Sequence, residues 1–444
     1  MAKRFSRKKL TSFQIIILGF LGVILIGTVL LMLPVSTKGA HHATLEEALF
    51  TSTSAVCVTG LILRDTASYW SGFGQAVILL LIQIGGLGIV SVAVFIAILS
   101  GRKISLLQRS MLQDSISAHQ LGGIVKMTGS IFKIALITEC VGALIMMPTF
   151  CSRYGAAGVW MSFFHSVSAF CNAGFDVMGD KTGAFSSLTS FASDPAIVIP
   201  ICLLITVGGI GFLTWEDIAA HKHHLRSYRM QSKVVLATSG ALIIVPMILL
   251  LVFEFTDGSF KDRLLLSLFQ AVTPRTAGFN TASYADLSGT GKLLQIGLML
   301  IGGSPGSTAG GMKTTTLAVL FAGAYSVFRK KKSAQLFGRR IEDGTIRNAA
   351  TLLLLYLLLP LIGAAVISTV DGLPVGTCIF ETVSAIGTVG LSLGVTPSLS
   401  LSSHLILIFF MFFGRVGGLT LIFAAVNNKN TDVSQRPVEK IIVG

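Results

Sequence analysis

Four short stretches of this chain end alike: ALFTSTSAVCVTGL (48–61), SFFHSVSAFCNAGF (162–175), LSLFQAVTPRTAGF (266–279) and IFETVSAIGTVGL (379–391). Each closes on a glycine followed by Leu or Phe, at Gly60, Gly174, Gly278 and Gly390. Glycine adopts positive φ without steric cost. A backbone needs that freedom to aim successive carbonyl oxygens at one axis. A ring of such carbonyls can replace the hydration shell of an alkali cation. The candidate ligands are the backbones of Val58, Thr59 and Gly60, of Asn172, Ala173 and Gly174, of Thr276, Ala277 and Gly278, and of Thr388, Val389 and Gly390. The side chains differ among the four segments, which carbonyl coordination tolerates and side-chain chelation does not. No ring of four carboxylates accompanies them, as a filter built on side-chain charge requires. Thr388–Gly390 also repeats the TVG of the potassium-channel filter TVGYG.

A second constellation is GLMLIGGSPGSTAGGMKTTTLAVL (297–320), apolar at both ends and broken in the middle. The break holds Gly302, Gly303, Ser304, Pro305, Gly306, Ser307, Thr308, Gly310 and Gly311, with Lys313 close behind. Irregular backbone at membrane depth is tolerated only inside protein or against a water-filled cavity. Gly306–Thr314 reads GSTAGGMKT, which fails the phosphate-loop pattern because Met312 separates Gly311 from Lys313; no strand precedes it either. The third feature is Arg415 in FFMFFGRVGGLTLIF. An arginine at the centre of a membrane helix costs about 2.5 kcal/mol or more, so it needs a cavity and partners.

The elements that must position these residues follow from composition. Of 444 residues, 52% are hydrophobic and 12% are charged. That charged fraction is about half the soluble norm, so the chain is a multi-pass membrane protein. Apolar runs near 12–34, 73–99, 124–148, 196–215, 234–255, 291–327, 350–370 and 403–426 are each long enough to span. The net charge of +14 is concentrated at the N-terminus, in 101–126, 221–233 and 328–347, and in the tail from Asn427. Every basic segment falls on one side of an eight-span topology, which the positive-inside rule makes cytoplasmic. The charge is thus topological and does not indicate nucleic acid.

The four glycine segments lie between the spans of each pair and are too short to cross, so each reads as a re-entrant half-helix. The expected fold is all-α and integral to the membrane, with four span–re-entrant–span repeats around a central pore. The repeats cover 12–100, 124–220, 234–328 and 348–427. The connections are 1–11, 101–123, 221–233, 329–347 and 428–444, and the loop of the break covers 302–316. The second spans of repeats one, two and four are expected to run uninterrupted, with only the third broken. Placed below the glycine ring, that break obstructs the cytoplasmic path.

The repeats, VTGL, NAGF, TAGF, TVGL, the glycine-rich break and GRVGG resemble the Trk/Ktr/HKT superfamily of potassium transporters, most closely the membrane subunit of bacterial Ktr systems. The resemblance covers nearly the whole chain. It implies potassium uptake into the cell across its plasma membrane, with Na+ as a candidate activator, and it implies a homodimer with one pore per protomer. It also implies regulation by a cytoplasmic nucleotide-binding ring of the RCK type, and it makes the broken segment an intramembrane gate held near Arg415. Glycine at position 60 favours potassium over sodium. The alternative is a coupled Na+/K+ or H+/K+ symporter. An intramembrane enzyme is disfavoured because His165, near Ser166 and Ser168, has no partner constellation. Blander roles are expected for Glu139 (an inter-helix contact), Glu381 and Asn172 (filter braces) and Arg275 (a brace from the outer side).

Overall fold

The computed structural model describes residues 11–39, 42–102, 104–116 and 123–418. The basic N-terminal segment, part of the 101–123 connection and the tail lie outside the described residues. Among the described residues, four helices are long and apolar enough to cross a membrane: Ser12–Leu31, Ile124–Tyr154, Met230–Phe253 and Asp343–Asp371. Each opens a repeat and turns large apolar side chains outward, among them Leu25, Leu144, Ile244 and Ile362. In water such exposure would be costly; against lipid tails it is the matched surface.

After each outer helix the chain re-enters as a short pore helix, Leu45–Val56, Ala157–Phe170, Phe260–Val272 or Val375–Gly387. At 1.5 Å per residue these reach roughly 18–21 Å, short of a hydrocarbon core of about 30 Å. Local signals mark several helix starts. Thr11 with Gln14 and Thr44 with Glu47 form capping boxes. Ser71, Asp194, Ser259, Ser288 and Ser400 each accept a backbone N–H as N-cap. These caps satisfy donors that the first turn of a helix leaves orphaned.

The inner helices depart from expectation. That of repeat one is two helices, Gly72–Leu87 and Ile89–Leu99, bent by 97°. That of repeat two is Pro195–Gly209 and Phe212–His221, also bent by 97°. In repeat four, Leu401–Val416 ends at Gly417. Gly88, Gly211 and Gly417 share positive φ near 90°, at +86°, +93° and +91°. In repeat three, Gly289–Met299 stops and the chain resumes as a helix only at Thr314–Phe328. Uninterrupted second spans in repeats one and two are therefore wrong: those inner helices break at GGLG (85–88) and GGIG (208–211), as repeat three does at GGSPG (302–306), and the helix of repeat four ends at GRVG (414–417), where the described residues nearly end. Repeat three differs in the length of its excursion. Hydropathy hid the other breaks because glycine passes unnoticed in an apolar run, although its φ > 0 conformation cannot continue a helix. The only sheet among the described residues is a two-stranded hairpin, Gln335–Leu336 with Arg339–Arg340, in the basic connection after repeat three.

Candidate ion pathway

The four pore helices end in the same backbone figure. Val58, Asn172, Thr276 and Thr388 all take positive φ, at 55°, 59°, 63° and 52°. The glycines two residues on take 90°, 70°, 78° and 92°. Left-handed backbone is expected at glycine; at the β-branched Val58, Thr276 and Thr388 it is strained and must be held by its surroundings. The holding contacts recur. Ser54 accepts the N–H of Gly60 at 3.0 Å and Ser384 that of Gly390 at 3.1 Å. Ser168 and Thr273 donate to the carbonyls of Phe175 and Phe279, each at 2.7 Å.

The glycines close a ring. A Cβ on Gly60 would lie 2.5 Å from the carbonyl oxygen of Ala173, one on Gly174 2.5 Å from that of Ala277, and one on Gly278 2.5 Å from that of Val389. One on Gly390 would collide with the carbonyl of Thr59, which completes the cycle. Each glycine thus abuts the backbone of the next repeat in chain order, and no side chain fits between. The hydroxyls of Thr59, Thr276 and Thr388 are buried without a protein hydrogen-bond partner.

The broken segment of repeat three lies against this ring. A Cβ on Gly310 would run into the Thr388 side chain, and one on Gly311 would meet the carbonyl of Gly387 at 2.8 Å. A helix that stops leaves its last carbonyls unpaired. The loop takes several of them: Ser304 N donates to Gly209 O at 2.9 Å, Thr308 N to Gly208 O at 3.2 Å and Gly311 N to Gly414 O at 3.3 Å. The loop in turn accepts Phe212 N on the Gly306 carbonyl at 2.6 Å. Thr308 Oγ1 is within hydrogen-bonding distance of Phe170 O at 3.0 Å and Asn172 Oδ1 at 2.9 Å. Asn172 donates to the Arg275 carbonyl at 3.3 Å. Two internal ties shape the loop, Ser304 Oγ with Thr314 Oγ1 at 2.9 Å and Ser307 Oγ to Ser304 O at 2.7 Å.

Arg415 replaces a glycine: in the recurring GG-x-G pattern its place is taken by Gly86, Gly209 and Gly303. Its guanidinium donates to the carbonyls of Thr308 and Gly85, and to Gly86 at 3.0 Å. It thus caps the broken helix of repeat one and holds the loop of repeat three at once. Lys313 folds back on the loop, with Nζ 2.8 Å from Ala309 O and 3.3 Å from Gly310 O. Both cations line a cavity of about 320 Å³ beneath the loop, together with Asp114 and Tyr356. The structure thus gathers Gly302–Gly311, Lys313 and Arg415 into one cluster, with Gly310 and Gly311 against Thr388 and Gly387 at the end of the fourth pore helix.

A family model described as a cation transport protein, TrkH, matches residues 2–435. The chain belongs to the TrkH family of cation transport proteins. It is 38% identical over its whole length to the potassium/sodium uptake protein NtpJ of Enterococcus hirae, covering 99% of that protein. It is 35% identical to the Ktr system potassium uptake protein B of Bacillus subtilis, with 95% of this chain and 94% of that one aligned. Its fold matches the crystal structure of the potassium transporter TrkH from Vibrio parahaemolyticus with a TM-score of 0.74 at 20% identity, over 96% of this chain and 87% of that one. The protein is a multi-pass membrane transporter for cations and not an enzyme.

Other polar residues of this TrkH-family chain fall into bracing roles. Ser166 and Ser168 donate to the carbonyls of Glu139 and Phe175, and His165 Nδ1 sits 2.7 Å from Met161 O. Its Nε2 has Val177 N at 3.5 Å. Glu139 joins two repeats, accepting from Gln83 Nε2 at 3.0 and 3.2 Å. Glu381 accepts Ser392 Oγ and Leu393 N at 2.8 Å and Thr396 Oγ1 at 2.7 Å, and so fixes the strand leaving the fourth segment. Arg275 donates to Ser239 Oγ at 3.0 Å, near the middle of Met230–Phe253, and so braces its segment against the outer helix of its own repeat. The inner-helix glycines were the residues missed. A Cβ on Gly85, Gly208 or Gly414 would strike the carbonyl of Val56, Phe170 or Ile386, so these glycines let the inner helices touch the pore-helix ends. Their GG-x-G recurrence was the available signal.

Proposed function

We propose that this protein is the potassium-translocating membrane subunit of an uptake system, with the four glycine segments as its selectivity filter and residues 302–313 as its gate. The observation that carries the proposal is the cyclic contact of the four glycines. Four backbone strands with alternating left-handed residues bring carbonyl oxygens together around one axis, the arrangement that replaces a cation's hydration shell. Thr276 and Thr388 add buried hydroxyls without protein partners, suited to the same ions. The gate reading rests on the loop's position beneath the ring and on its hydrogen bonds to the inner-helix ends of repeats two and four. A guanidinium at Arg415 repels a cation while it holds the loop in place.

The Enterococcus and Bacillus relatives, a potassium/sodium and a potassium uptake protein, support potassium as cargo, and the former supports sodium as a second ion or activator. The basic connections support a plasma-membrane protein with both termini in the cytoplasm. A homodimer, and a cytoplasmic nucleotide-binding ring acting on the gate, complete the proposal; membership of a named Ktr system in the Bacillus relative supports it. The test is complementation of a bacterium that lacks potassium uptake, with and without such a regulatory subunit. Growth at low potassium is expected, and it should improve with the subunit. No growth, with the protein present in the membrane, refutes the proposal.

A further inference from the structure

Two residues beyond the four ring glycines stand Ile62, Asp176, Asn280 and Ser392. All four line one cavity of about 330 Å³, and the four glycines line it too. Repeat equivalence therefore sets one side chain from each repeat at the mouth of the ring, and only one of the four carries a charge. We infer that Asp176 is the cation-capture residue of this transporter, a single carboxylate that receives an alkali cation from outside and hands it to the glycine ring. The inference rests on the filter reading above and adds the entry step to it.

The surroundings single Asp176 out. Other ionisable groups around the mouth are already engaged. Asp65 accepts Ala67 N, Ser68 N and Ser68 Oγ on one oxygen and Phe185 N on the other. Lys38 pairs with Asp180, and Arg64 with Glu47. Glu381 takes three donors, including Ser392 of the same ring. His404 is shared between Glu46 and the Thr396 carbonyl, and His165 between Met161 O and Val177 N. Asp176 accepts Met178 N at 3.0 Å and interacts with the Ser187 hydroxyl, both neutral. Among the described residues no cation pairs with it. Its charge therefore faces the path of the ion uncompensated.

One carboxylate off the axis suits this task better than four. Conduction requires a site favourable enough to enter and weak enough to leave. A full ring of acids would trap the ion, whereas one acid beside Asn280 and Ser392 supplies attraction and neutral oxygens together.

Rubidium uptake into proteoliposomes of the full chain, measured against external concentration at low and high ionic strength, tests this. Asp176→Asn should raise apparent KM roughly tenfold, the low end of what a charged entrance supplies. The difference from the native protein should shrink at high ionic strength. Asp176→Glu should recover the lower KM. A KM in Asp176→Asn that matches the native protein overturns the inference, as does a loss of maximal rate with KM unchanged. Native protein that carries no rubidium overturns the filter reading, and this inference with it.

Discussion

Arg415→Gln is the perturbation that bears most directly on the gate. The guanidinium touches three carbonyls, but only that of Thr308 belongs to the loop; those of Gly85 and Gly86 belong to repeat one. When the loop leaves, the two contacts to repeat one can persist. The difference between closed and open is therefore one charge-assisted hydrogen bond, about 1.5–3 kcal/mol. At 1.4 kcal/mol per tenfold, its loss shifts the equilibrium toward open by roughly ten- to 150-fold. Glutamine at this position also removes a positive charge from the ion's path, which acts in the same direction. The assay is rubidium flux into proteoliposomes of purified protein without any regulatory partner, where the loop holds flux low. A rise of about tenfold or more is expected. Thr308→Val, which deletes only the neutral contacts to Phe170 O and Asn172 Oδ1, should raise flux less. In the double variant the two effects should fall short of their product, since both residues hold one loop. Unchanged or reduced flux in Arg415→Gln, at native melting temperature and elution volume, would refute the reasoning.

Gly60→Ser sets a Cβ 2.5 Å from the Ala173 carbonyl at a φ of +90°, so that stretch of the ring must shift; the rubidium-to-sodium uptake ratio should drop several-fold, and an unaltered ratio would remove Gly60 from the filter. Glu381→Ala leaves Ser392 Oγ, Leu393 N and Thr396 Oγ1 without their acceptor; at about 1–3 kcal/mol for an unsatisfied buried group, the melting temperature in detergent should fall by several degrees. Gly208→Ala drives a methyl into the Phe170 carbonyl, whereas Gly240→Ala, where a Cβ meets nothing within 4 Å, provides the control; only the first should lower yield and thermal stability, and equal behaviour would show that the inner helix does not need the close approach.

The membrane class, the four repeats and the glycine at the end of each pore helix were legible in the chain because each leaves a mark in residue type or spacing. Lipid selects long apolar runs, fourfold pseudosymmetry repeats its segments at near-equal intervals, and left-handed backbone favours glycine. Arg415 was legible for a related reason: a charge in an apolar helix is costly enough to need a purpose. Its partners were not legible, because they are backbone carbonyls of Gly85, Gly86 and Thr308, and every residue carries a carbonyl. The left-handed turn at Val58, Thr276 and Thr388 was hidden too, since nothing in a β-branched side chain announces a conformation it disfavours. The breaks at Gly88 and Gly211 were written in the chain as GG-x-G but masked by the hydropathy around them. Only the tertiary structure decided which repeat each ring glycine faces, and that the excursion of repeat three caps the inner helices of repeats two and four. Those facts depend on how four similar units close around one axis, and closure is a relation among distant segments that no single stretch of sequence records.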